Sequence, residues 1–154
     1  MNKSSRHSKI TGDFGEYLTL YWLSKSGFEC ARVDHTGIDI IARRPNSKEV
    51  MGISVKARSR SKGTERASIT LKRDEFKKAA AACKAFRCKL YFAFVVDRGD
   101  NTVLYLLPED VLKKICSLGY GGRYWSMAPA MVELYRQHRK IRWVEFDHKA
   151  NSWW

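Results

Sequence analysis

Four side chains in the first half of the chain have the types and spacing to do chemistry together: Glu16, Asp39, Ser54 and Lys56. The segment GISVKAR, residues 52–58, reads as a strand. Alternation then puts Ile53, Val55 and Ala57 on one face and Ser54 with Lys56 on the other. A lysine placed so is either a solvated chain end or an ammonium held over a reaction centre. Asp39 lies inside the apolar run Gly37-Ile-Asp-Ile-Ile-Ala42. It shares a face with Ile41, so burying its carboxylate is costly unless a cation meets it, either in a salt bridge or as a bound metal. Glu16 follows Asp13 by three residues. It either completes a helix-start capping box or, on the flank of Leu20 and Leu23, points at the sheet.

The connection between the Asp39 and Lys56 strands fits a β-hairpin, which brings an acid and an ammonium to one end of a strand pair. A hard metal such as Mg²⁺ needs only a few carboxylates plus waters. Water on such an ion, oriented or deprotonated by the lysine, could attack a phosphodiester while the ion stabilises the charge building on phosphate. Ser54 as a covalent nucleophile with Lys56 as its base is the other arrangement. Side-by-side projection alone supplies neither the hydrogen bond nor the oxyanion hole that this would need.

The elements that must position these groups follow from turn and capping signals. A helix is expected from Asp13 to Lys25, stopped at Ser26-Gly27. Strands are expected over 28–33, 38–42 and 50–57, with turns at 34–37 and 45–48. A basic loop, residues 58–68, leads to a helix over 71–87 capped by Thr70. Strands at 89–96 and 102–107 form a hairpin around Asp97–Asn101, and Pro108 opens a short helix to Cys116. Gly119–Gly122 reads as a flexible link, Met131–Arg139 as a helix and Ile141–Phe146 as a late strand. The order predicts an α/β fold with a mixed central sheet flanked by helices. The expected division is a flexible basic arm over 1–10, a core over 11–118 and an extension over 119–154 packed on the core.

These residues, in this order, resemble the PD-(D/E)xK nuclease superfamily, in its restriction-endonuclease-like, Holliday-junction-resolvase-like branch. The resemblance covers about residues 10–96 and implies an αβββαβ core. It implies a metal-dependent endonuclease that cleaves DNA, in which Glu16, Asp39 and the Val55 carbonyl bind Mg²⁺ or Mn²⁺ and Lys56 positions the attacking water. A homodimer is implied as well. Ser54 departs from the pattern, because the family has Glu, Asp or Gln there and serine supplies only a neutral hydroxyl. Asp34 and Glu49 are the nearest alternative acids in sequence. The alternative function is a non-catalytic DNA-binding module that keeps the fold.

Charge supports a polyanionic partner. The 154 residues include 29 Lys and Arg against 16 Asp and Glu, a net +13. Between Arg43 and Lys89 there are fifteen basic and four acidic residues, a net +11. Such a field attracts nucleic acid. Arg58, Arg60, Lys62 and Arg66, with Lys72 and Arg73 behind them, are placed to grip phosphates with little base preference. Tyr120, Tyr124, Trp125, Trp143, Trp153 and Trp154 either stack on unpaired bases or pack in the core and at contacts.

The 44% apolar share is that of a globular chain. No apolar run follows the basic N-terminus, and the longest, LYFAFVV at 90–96, is too short to cross a bilayer. Four cysteines without a CxxC pair predict reduced thiols in a cytoplasmic protein.

Overall fold

A computed structural model describes residues 3–149. Helix α1 (His7–Lys25) is followed by strands β1 (Glu29–His35), β2 (Ile38–Arg43) and β3 (Val50–Ser59). A short strand β4 (Ile69–Lys72) runs directly into α2 (Arg73–Ala85), which leads to β5 (Lys89–Asp97) and β6 (Asn101–Pro108). The chain continues through α3 (Glu109–Ile115), a hairpin of β7 (Ser117–Gly119) and β8 (Gly122–Trp125), α4 (Pro129–Gln137) and β9 (Arg142–Asp147). Six strands form one mixed sheet in the order β1-β2-β3-β5-β6-β9, and β4-β8-β7 form a second, small sheet.

Strands β3 and β5 are the only parallel pair among the described residues and lie at the centre, with Ser54 opposite Phe92 and Lys56 opposite Phe94. Parallel strands are stable where both faces are covered, and here they are. One face, carrying Ile40, Ala42, Ile53, Val55, Ala57 and Val95, packs with Leu23 under α1. The other carries Phe92, Phe94, Val96, Tyr105 and Leu107 and packs against residues of α2, α3, α4 and the small sheet. Gly52, Ser54 and Lys56 point to this second side, where a side chain at Gly52 would meet the Cys83 and Cys88 sulfurs. All four cysteines are free thiols.

Several expectations are corrected. The basic arm expected over residues 1–10 is helical from His7, six residues before the Asp13 start. A local bond, from the Thr11 hydroxyl to the His7 carbonyl, and a tertiary one, from the Lys3 ammonium to the Ser59 carbonyl at the end of β3, 2.7 Å, hold this turn. Residues 69–72 are a strand, so Thr70 is not a helix cap. Ile69 and Leu71 alternate inward, 1% exposed each, and the segment pairs with β8. Helix α2 starts at Arg73, and the Glu75 carboxylate accepts the Lys72 N–H, 3.0 Å. The Gly119–Gly122 link is the turn of the β7–β8 hairpin. Gly122 has φ +136°, and any Cβ there would lie 2.0 Å from the Leu71 carbonyl oxygen. Within 119–149, Trp125 and Tyr135 are fully buried, stacked at 3.8 Å between ring centres, and β9 joins the main sheet.

Helix α1 seats on the sheet through Gly15. A Cβ at that position would fall 2.5 Å from the Ala57 Cβ and against Val55 and Val95. One turn on, the buried Thr19 hydroxyl donates back to the Gly15 carbonyl, 2.7 Å. Contact this close carries the neighbouring Glu16 to the sheet. Gly15→Ala is therefore expected to destabilise the fold by about 1–3 kcal/mol, the usual cost of overpacking. Urea unfolding measures it, and Ala57→Gly in the same chain should recover part of the loss by removing the opposing methyl.

Candidate nuclease-like site

The site begins where the β2–β3 pairing ends. That ladder runs from Arg43↔Val50 to Ile40↔Ile53. At the next step the Asp39 carboxylate takes over, accepting the Val55 backbone N–H at 2.6 Å. An acid is thereby fixed beside the strand that carries Ser54 and Lys56. Burial pushes the Asp39 carboxyl above its ordinary range, and the Val55 N–H, the Lys56 ammonium and the Arg32 guanidinium only partly offset this.

Lys56 is not free in the notch. Its ammonium lies 3.2 Å from the Glu75 carboxylate on α2. Glu75 thus ties the α2 N-terminus to β3: one oxygen accepts from Lys72 and the other meets Lys56. Burial raises its carboxyl, but the Lys72 N–H and the Lys56 ammonium more than reverse this and hold it below the usual range. Ser54, between Val55 and Ile53, is 3% exposed and brings no charge.

Glu16 approaches from the other side of the sheet and is met by Arg32 of β1. The guanidinium donates to the Glu16 carboxylate at 2.7 Å from Nε, with Nη2 at 2.6 Å, and to the Tyr17 hydroxyl at 3.0 Å. Arg32 also lies 3.7 Å from Asp13. The capping box expected between Asp13 and Glu16 does not form, since α1 passes through both as helix interior. Three separate contacts lie around the end of the β2–β3 ladder: Glu16 with Arg32, Asp39 with the Val55 N–H, and Lys56 with Glu75.

The two acids nearest in sequence separate. Glu49 pairs with Lys89 and the Tyr91 hydroxyl at the opposite end of β3, whereas Asp34 lies exposed in the β1 bulge across from Asp39. Arg32 and Glu75 were missed by sequence reasoning. Arg32 sits on an exposed edge strand with no motif around it. Glu75 did carry a signal, an acid in the first turn of a helix that follows the lysine strand, but reading that helix as starting at Leu71 hid its position.

The basic residues divide. Lys62, Arg66, Lys72 and Arg73 are exposed. Arg58 donates to the Ala57 carbonyl, 2.8 Å. Arg60 closes the 61–68 loop instead of reaching outward: its guanidinium donates to the Ala67 and Ser68 carbonyls and its N–H to Asp97. Among the tail aromatics, Trp125 is core, Tyr120 is fully exposed and Trp143 is 43% exposed, while Trp153 and Trp154 lie outside the described residues.

No protein-family model matches the chain, and no curated protein matches it. Among solved structures it is similar to Hjc, a Holliday junction resolvase from the archaeal hyperthermophile Archaeoglobus fulgidus. The TM-score is 0.58 at 21% identity, over 80% of this chain and 88% of that one. The chain therefore has a resolvase-like α/β fold, as its mixed sheet and flanking helices require. Among the described residues no helix is long and apolar enough to cross a membrane.

Asp39 and Glu75 are pushed in opposite directions, which gives a test by sign. Ionised Asp39 opposes folding; the penalty is absent below the ordinary carboxyl pKa near 4 and complete above its raised folded value. Asp39→Asn should raise Tm by a few degrees at pH 7, with the gain fading as pH falls towards about 4. Glu75 stabilises above the ordinary pKa and loses this as pH falls through its lowered folded value. Glu75→Gln should lower Tm at pH 7, with the loss fading in acid. Thermal unfolding across pH reads both.

Proposed function

We propose that the protein is a metal-dependent endonuclease that cleaves DNA phosphodiesters at the end of the β2–β3 ladder. The observation that carries this reading is the Asp39 carboxylate locked to Val55 N–H beside Lys56. A carboxylate and an ammonium on adjacent strands, with a second acid on Lys56, suit an activated water at a phosphate.

The donor set fits a divalent ion in a reduced form. Among the described residues no three acidic, His or Cys side chains cluster as a ready cage. Mg²⁺ is commonly held by one or two carboxylates together with waters and substrate phosphates, and Asp39 with the Val55 carbonyl offers that much. Glu75 supplies the acid that Ser54 lacks, from the helix instead of the strand. When bound, the ion supplies charge stabilisation at phosphate and an acidified water. As an ammonium paired with Glu75, Lys56 would orient that water and steady the charge building on phosphate. Glu75 sets the position of the ammonium, and Arg32 holds Glu16 against the site. Exposed Lys62, Arg66, Lys72 and Arg73 hold the DNA backbone and read no sequence.

A second reading, a DNA-binding module without catalysis, is favoured by two observations: Ser54 in place of an acid, and Glu16 engaged by Arg32. The readings separate on a supercoiled plasmid. Cleavage dependent on Mg²⁺ or Mn²⁺, lowered at least ~100-fold by Lys56→Ala and by Asp39→Ala, is the outcome expected of the enzyme. Binding in gel shifts with no cleavage in either metal identifies the module.

Phosphate contact makes a further prediction for either case. Lys62→Ala and Arg66→Ala should each weaken duplex binding across unrelated sequences and flatten the log–log salt dependence by about one unit. Arg60→Ala should instead loosen the 61–68 loop, read as faster proteolysis there.

A further inference from the structure

The opposite end of the sheet from Lys56 carries a second concentration of positive charge. Two adjoining hollows of about 440 and 390 Å³ share Phe28, Arg44, Leu106 and Arg142. The first is ringed by Arg44, Lys89, Arg139, Lys140 and Arg142. Its acid, Glu49, is occupied by Lys89 and the Tyr91 hydroxyl. Lys140 reaches Asp110 at 3.3 Å, on the surface. Arg44, Arg139 and Arg142 have no carboxylate partner among the described residues. The second hollow is apolar, with Trp22, Leu23, Leu104, Trp143 and Val144 on its walls.

Unpaired guanidinium groups along an aromatic and aliphatic floor match one ligand chemistry: a phosphate joined to a flat, unstacked base. Stacking surfaces are present in Phe28, which Arg44 overlies at 4.8 Å, and in Trp143, which Arg136 overlies at 5.1 Å. Basic grooves with interleaved aromatics hold single strands in this way. The place is distinct from the nuclease-like site. Met51, which lines the groove, precedes Lys56 by five strand residues, roughly 17 Å at ordinary strand rise.

We propose that this groove is a second nucleoside-phosphate site that takes single-stranded nucleic acid or a free nucleotide, with Arg139 and Arg142 on phosphate and Trp143 and Phe28 against the base. The site does not depend on whether the Lys56 end cuts.

Binding is measured in EDTA, where metal-dependent cutting cannot contribute, with a fluorescein-labelled oligothymidylate of about twelve nucleotides, an ordinary single-strand site size. Arg139→Ala/Arg142→Ala, both at exposed positions, should weaken it at least about tenfold, and Trp143→Ala by a similar factor. An oligonucleotide carrying 5-iodouracil should photo-crosslink to Tyr91 or Trp143. Displacement by millimolar thymidine monophosphate assigns the groove to single nucleotides, and failure to displace assigns it to strands. The proposal is overturned by adducts confined to the 56–75 region with unchanged affinity in the double variant. It is equally overturned by tighter groove binding of polyglutamate or of a duplex than of the single strand.

Discussion

The site depends on one hydrogen bond, from Val55 N–H to the Asp39 carboxylate. A side chain here completes what the backbone ladder leaves off, because paired residues between β2 and β3 stop at Ile40 and Ile53. A buried N–H left without a partner costs free energy comparable to a lost hydrogen bond, so the strand end needs an acceptor. Supplying a carboxylate as that acceptor also fixes the acid beside Lys56. The cost shows in the raised Asp39 carboxyl, since burial outweighs all three of its favourable partners. A neutral acceptor would serve the fold better, so Asp39 keeps its charge at a cost to stability.

The rest of the architecture serves to hold that corner from both faces. On one side α1 comes in at contact distance through Gly15 and brings Glu16 with it. On the other, β4 leads straight into α2, so the first turn of α2 presents Glu75 to Lys56. The short strand matters for this reason. Ile69 and Leu71 bury in the small sheet and fix where the helix can begin, and Glu75 then falls in its first turn. The buried stack of Phe94, Trp125 and Tyr135 secures the small sheet to the central strands.

Strands β2, β3, β5 and β6 were legible because each is a run of β-branched and aromatic residues between turn signals, and their order settled the fold class. That Ser54 and Lys56 share a face was legible from period-2 alternation. What the sequence hid were features decided by tertiary contact. Four residues of β4 carry two inward side chains, too few to outweigh the helix-forming stretch behind them. The first turn of α1 is polar and reads as an arm until Lys3 meets Ser59. Arg60 has the composition of a phosphate gripper, yet the carbonyls of its own loop claim it. Arg32 was invisible as a partner because its distance in sequence to Glu16 carries no periodicity, and Glu75 was hidden by the misplaced start of α2.

An acid at position 75 differs in its electrostatics from an acid at position 54. A carboxylate on β3 would lie buried beside Asp39, and two like charges in one dry notch would push one of them towards the neutral form. Placed on α2, the second acid is about one-third exposed, bonded to a backbone N–H and opposite the ammonium, and so it stays ionised. Of the two, only Asp39 has a desolvation that its partners fail to offset. The two carboxyl groups are thus driven in opposite directions, Asp39 up and Glu75 down. This leaves Asp39 the group most responsive to any added positive charge, because a cation arriving there would reverse the penalty that now opposes its ionisation.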